Sequence, residues 1–234
     1  MATTLLIVRH GENDWVRSNK LAGRTPAVHL NETGRGQARR LAARLAIWPI
    51  AAVYTSPLER CQETAAILAA PHQLPLLFHE GLLESDYGEW QGQAIEDLTK
   101  QDLWKVVQST PSFAHFPGGE SLRAMQHRAV EALHAIAASH PDQNVIVCSH
   151  ADPIRAMLVY SFGAHLDLYQ RLEVAPGSVS IVRFGSYGPR VLRVNDTGDL
   201  DPPSPPEKPV EEKAAVVLPA AAVLPAAGAL PEDA

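Results

Sequence analysis

Three short runs of apolar, largely β-branched residues stand out along the chain: 3–8 (TTLLIV), 50–55 (IAAVYT) and 144–148 (NVIVC). Runs of this length without polar alternation predict strands buried on both faces. Elsewhere the period becomes helical. Leu41, Leu45 and Trp48 recur at helical spacing after a cap at Asn31 or Thr33, and Pro49 stops that helix. Residues 57–70 (PLERCQETAAILAA) predict a second helix with Ser56 as its N-cap and Pro57 in its first position. Residues 94–108 and 121–139 predict two more, the latter with Leu122, Met125, Ala129, Leu133 and Ile136 along one face. Asp152-Pro153 repeats the cap-and-proline signal before IRAMLVYSF. Weaker runs at 76–78, 172–174, 178–184 and 190–194 predict further strands. Alternating strands and helices imply an α/β fold around a largely parallel sheet covered on both faces.

This pattern stops near residue 200. Residues 201–234 hold 8 of the 19 prolines, nine alanines and no aromatic residue, and repeat VLPAA at 217–221 and 223–227. Proline every six residues prevents a continuous helix. The expected organisation is one domain over 1–200 and a disordered, Pro/Ala-rich acidic tail over 201–234. The tail carries −4 of the net charge of −6, leaving 1–200 at −2, with 20 acids against 18 bases. A near-neutral domain lacks the basic surface of a nucleic-acid binder. No stretch approaches the roughly 18 apolar residues of a membrane span, and the run before Arg9 is too short for a signal-peptide core. A cytoplasmic protein is expected, with Cys61 and Cys148 as buried thiols, since neither belongs to a CxxC pair.

Ligands of open α/β sheets bind beyond the carboxyl ends of the strands. Just past the three strongest strands lie Arg9-His10-Gly11-Glu12, Ser56 to Arg60, and Ser149-His150. They would bring two histidines and two arginines to one rim. Guanidinium groups offer planar donor pairs and stay protonated, so this set suits a dianionic phosphoryl group. A neutral imidazole among them can attack phosphorus while the other donates to the developing charge. Helix N-termini after Pro57 and Asp152 would add backbone N–H groups.

Four ordered strings, 6–12 (LIVRHGE), 56–60 (SPLER), 84–92 (ESDYGEWQG) and 147–150 (VCSH), resemble the histidine phosphatase superfamily, also called phosphoglycerate mutase-like. They span most of 1–194. Residues 22–34 (AGRTPAVHLNETG) and 116–121 (FPGGES) resemble a phosphatase-type bacterial branch whose members carry phosphomutase or phosphatase labels. The resemblance implies a three-layer α/β/α sandwich around a mostly parallel sheet. It implies that His10 becomes phosphorylated, that Arg9 and Arg60 clamp the phosphate, that His150 is the second histidine, and that Glu84 protonates the leaving oxygen. Gly23 falls where a backbone group approaches substrate. No cofactor and no metal are implied, and the partner is a small phosphorylated metabolite. Homodimerisation and a partner for the tail stay open. PGGES reads either as a turn with an N-cap or as a substrate contact.

Three positions depart from the mutase pattern. Val16 stands where that pattern has a phosphate-binding asparagine, with Asn13 and Asn19 nearby but out of register. Ser85 replaces an arginine after the acid, and Ala151 replaces a glycine after His150. A mutase must hold a bisphosphorylated intermediate and needs extra cations to do so, whereas a hydrolase need only admit water. The expected activity is therefore metal-independent phosphomonoester hydrolysis through a phosphohistidine. Arg17, Lys20, Arg24 and Arg155 could supply the missing cations, which keeps a phosphoglycerate mutase as the alternative. A non-catalytic phospholigand-binding module is the other, and a proton donor at Glu84 argues against it. No HxH or HExxH cluster supports a metal hydrolase.

Overall fold

The computed structural model describes residues 2–198, so the expected tail lies outside the described residues. Six strands form one sheet in the order β3-β2-β4-β1-β5-β6. They are β1 (Thr3–Arg9), β2 (Ile50–Thr55), β3 (Leu76–Phe78), β4 (Asn144–Ser149), β5 (Val179–Gly185) and β6 (Gly188–Asp196). The first four run parallel, and β5 and β6 add an antiparallel hairpin beside β1. The sheet is thus mixed.

The apolar runs follow from its position. Leu5 and Ile7 pack on one face with α6 (Leu122–Ser139) and α7 (Ala151–Ser161). Leu6 and Val8 pack on the other with α2 (Glu32–Leu45) and α3 (Glu59–Ala69). Side chains alternate across a strand, so a strand covered on both sides needs an apolar residue at every position. The layers are helix, sheet, helix. A third cluster lies around the loops and contains Tyr87, Trp90, Leu98, Val107, Phe116, Leu122 and Tyr169. Two short helices contribute to it, α4 (Ile95–Leu98) and α5 (Asp102–Ser109), while α1 (Asp14–Arg17) follows β1.

Several expected boundaries shift. The single helix expected over 94–108 is two, α4 and α5. In one helix at about 100° per residue, Leu98 and Val107 would face opposite sides; the break lets both enter the third cluster. The first long helix is capped by Asn31, whose side chain accepts from Gly34 N–H, and it ends at Leu45, before Trp48. Ser56 does not cap α3, which starts at Glu59 after Leu58. Its hydroxyl sits 2.9 Å from His150 Nε2 instead. Likewise α7 starts at Ala151 after His150, because the Asp152 carboxylate is taken by Tyr87 and Arg155. Residues 172–174 form no strand. β1 already has neighbours on both sides, and the carbonyls of Leu172 and Val174 accept from Arg155 and Arg9.

Candidate active site

Parallel pairing carries the chemistry to one rim. Arg9 is level with Ser149 and Thr55 with Cys148. The chain then continues with His10 N–H donating to Ser149 O (3.0 Å) and Ser56 N–H to Cys148 O (3.0 Å). A cavity of about 310 Å³ opens at this rim, lined by Arg9, His10, Gly23, Arg60 and Glu84 among others.

His10 is buried, and its Nδ1 lies 2.7 Å from the Gly11 carbonyl. A carbonyl only accepts, so the proton sits on Nδ1. Nε2 keeps its lone pair and receives Arg60 Nε–H at 3.3 Å. Burial first, then the charges of Arg60 and Arg9, holds the His10 pKa well below its ordinary value, so the ring is neutral. Arg60 is 1 % exposed. Its Nη2 donates to Gly23 O (2.7 Å), and Nη1 has no partner among the described residues. Arg9 donates Nη1 to Val174 O (2.6 Å), and its buried Nε is likewise unpartnered. Buried donors without acceptors are costly unless a ligand completes them.

Gly23 serves through its backbone. Its φ of +52° suits glycine, and a Cβ there would come within 2.6 Å of Gln91 Oε1. His150 is fully buried and packs edge-on against His10, with ring centroids 5.2 Å apart. It does not line the cavity, because its Nε2 faces Ser56 Oγ and Cys61 Sγ. Burial, followed by Arg60, lowers its pKa well below the ordinary value. Cys61 and Cys148 are free and buried, as expected.

Glu84 is 7 % exposed and lines the cavity. Burial, reinforced by the nearby Asp152 carboxylate, raises its pKa to about 7 against the pull of the Ser85 N–H, Arg60 and Arg9. Its backbone carbonyl receives Arg24 Nε (3.0 Å) and Arg128 Nη2 (2.9 Å). Both arginines also bind Glu120, whose Oε1 accepts from Asp86 N–H (2.9 Å). Arg128 was not distinguishable in sequence from any surface helix residue. Glu120 belongs to PGGES, and that segment is a turn and cap: Ser121 Oγ accepts from Ala124 N–H, and Gly119 lies so close to Asp86 O that a Cβ would collide.

Of the four cations considered for a second charged group, Lys20 and Arg155 line the cavity, whereas Arg17 and Arg24 do not. Arg155 is paired with Asp152 at 3.1 Å. Val16 lines the wall, and so does Asn13. The Asn13 Oδ1 accepts from Val16 N–H (2.9 Å), which assigns Nδ2 as the remaining, buried and unpartnered donor. Among the described residues no group of three or more His, Cys, Asp or Glu is placed to hold a metal ion, and no helix is long and apolar enough to cross a membrane.

Comparison with known proteins identifies the family. The chain is 30% identical over 199 residues to phosphoserine phosphatase 1 of Hydrogenobacter thermophilus, covering 84% of this chain and 93% of that one. It is also 30% identical to 2,3-bisphosphoglycerate-dependent phosphoglycerate mutase 2 of Gloeobacter violaceus, covering 88% and 97%. The solved structure of Bacillus stearothermophilus YhfR superimposes with a TM-score of 0.78 at 28% identity, covering 82% of this chain and 96% of that one. The profile of the histidine phosphatase superfamily (branch 1) matches residues 5–197, and the chain belongs to that family.

Proposed function

We propose that the protein is a metal-independent phosphomonoester hydrolase that passes the phosphoryl group of a small phosphorylated metabolite to His10 and then to water. The observation that carries this reading is the setting of His10, whose Nδ1 lies against the Gly11 carbonyl and whose Nε2 meets Arg60 at the cationic end of the cavity, an arrangement that leaves the lone pair on Nε2. Arg9 and Arg60 bind the phosphoryl oxygens with donors that lack protein partners, and Gly23 O holds Arg60 in place. As Nε2 bonds to phosphorus, the ester P–O bond breaks and its electron pair leaves with oxygen, which takes the Glu84 proton. The Glu84 carboxylate then takes a proton from water, whose oxygen attacks phosphorus. The P–N bond breaks, its electrons return to Nε2, and inorganic phosphate leaves. For His150 to donate to the phosphoryl oxygens, its Nε2 must exchange Ser56 for the bound group.

Hydrolysis is favoured over mutase activity by charge. Beyond the clamp, the cavity offers only Lys20 and the neutralised Arg155 to a second phosphate. The two unpaired thiols fit a cytoplasmic setting. Turnover of p-nitrophenyl phosphate in EDTA, and its loss in His10→Ala, is the expected result. Loss in EDTA by the unaltered protein would overturn the mechanism, and isomerisation of phosphoglycerate outpacing hydrolysis in a bisphosphoglycerate-primed assay would replace it by the mutase.

A further inference from the structure

The walls of the cavity bear on what the phosphate is attached to. Away from the arginines, α1 presents Val16, the loop after it Leu21, and α4 and α5 present Ile95, Trp104 and Val107. Trp104 stacks on buried Trp90 with centroids 6.2 Å apart. Backbone bonds from Leu21 N–H to Gln93 O (3.0 Å) and from Ile95 N–H to Asn19 O (2.9 Å) fasten the two parts into one wall.

Polar groups on this side are already engaged or lie in solvent. Asp152 accepts from Tyr87 OH (2.8 Å) and Arg155 (3.1 Å), and Arg155 also reaches Leu172 O and Gln170. Asn19, Lys20 and Gln108 are exposed. An ammonium on the substrate would have to leave water to face hydrocarbon, a neutralised ion pair and the Lys20 cation, and a carboxylate would find in return only the solvent-exposed Lys20 ammonium, so either is costly. An uncharged hydrocarbon group would instead be removed from water.

Resting on the hydrolase reading, we propose that the site selects phosphate monoesters of uncharged, apolar alcohols, alkyl or aryl, over those of small charged alcohols such as phosphoserine and phosphoglycerate. Val16, Leu21, Ile95, Trp104 and Val107 form the surface that receives the apolar group.

Hexyl phosphate, phosphoserine and 3-phosphoglycerate separate this preference from leaving-group quality, because the hexyl alkoxide is the poorest leaving group of the three. The expected kcat/KM is at least tenfold higher for hexyl phosphate, and Trp104→Ala should bring the ratio toward one without a fall in Tm large enough to signal unfolding. A higher value for phosphoserine or 3-phosphoglycerate would overturn the substrate class and leave the hydrolase reading standing. If none of the esters is turned over, the hydrolase reading fails, and binding still decides the class. Calorimetry should then give tighter binding of hexylphosphonate than of 2-amino-4-phosphonobutyrate, and the reverse order would overturn the proposal.

Discussion

A carboxyl that protonates an alkoxide near neutral pH must resist ionising, and burial of Glu84 provides that resistance at the expense of stability. Its pKa of about 7 against an ordinary 4.5 means that the folded state binds the proton more tightly than the unfolded state. The associated stability is fully present below pH 4.5 and is lost as pH rises through 7, a change of about 3 kcal/mol at most. Glu84→Gln removes the ionisation, so its Tm should exceed that of the parent at pH 8.5 and converge with it near pH 4. In kinetics, kcat/KM for alkyl phosphates should fall above about pH 7, while the acid limb set by His10 lies well below its ordinary value. The same substitution should cost alkyl esters at least 100-fold and nitrophenyl phosphate less than tenfold. Equal losses would contradict the acid role.

Asn13 poses a related question one turn away. Val16 stands where the mutase pattern has an asparagine, yet Asn13 lines the same cavity and its Nδ2 is a buried donor without a partner. Charge-assisted hydrogen bonds contribute about 1.5–3 kcal/mol. Asn13→Asp keeps the acceptor for Val16 N–H and removes the donor, so inhibition by inorganic phosphate should weaken at least tenfold. Val16→Asn in the Asn13→Ala background should recover part of the affinity lost in Asn13→Ala. An unchanged phosphate Ki in Asn13→Asp would show that Nδ2 does not reach the anion.

Between residue and fold, the acid loop depends on a cluster formed by three elements. Arg24 comes from the first loop, Glu120 from the turn before α6, and Arg128 from α6 itself, and both arginines end on the Glu84 carbonyl. Burial works to raise the Glu120 carboxyl, and the Arg128 hydrogen bond, Asp86 N–H and Arg24 together bring it below its ordinary value. Glu120→Gln leaves the partly buried Arg128 without its counter-charge and Arg24 with only Asp86, 3.7 Å away. It should lower kcat for alkyl esters several-fold and displace the basic pH limb, while phosphate Ki, set by Arg9 and Arg60, changes less than twofold. A loss confined to Tm, with the pH profile unmoved, would make the cluster merely structural.

This cluster marks where the sequence became hard to read. β1, β2 and β4 were legible because burial on both faces demands unbroken apolar runs, and the strand ends then located Arg9, His10, Arg60 and His150. The motif containing Glu84 was legible by resemblance, but its anchors were not, since Arg128 lies in a helix with no local sign of a partner 44 residues earlier. Helix starts at Ser56 and Asp152 were misplaced for one reason. Side chains that normally cap were recruited by His150 and by Tyr87 and Arg155, so tertiary contacts overrode a local signal. The split between α4 and α5 escaped detection because propensity alone does not reveal which faces a third cluster will cover.

At the scale of the molecule, net charge conceals the electrostatics that matter. The three core clusters and the cavity lie wholly within residues 5–182, and the unit they belong to extends over Met1–Asp199. That unit is nearly neutral, and among the described residues its buried, unpartnered guanidinium nitrogens, Arg9 Nε and Arg60 Nη1, belong to residues that line one cavity. Residues 201–234 carry −4, a charge of the same sign as the substrate phosphate. Between exposed charges such repulsion is screened beyond roughly 10 Å at 0.1 M salt. A chain ending at Asp199 should therefore fold with a Tm within about 3 °C of the full chain and retain kcat. Its kcat/KM should equal that of the full chain at 0.15 M salt and exceed it by no more than a few-fold at 0.01 M, where the Debye length reaches about 30 Å. A fall in kcat/KM on truncation at both salt concentrations would instead place part of the acidic segment in the working site, and the boundary near residue 200 would have to move.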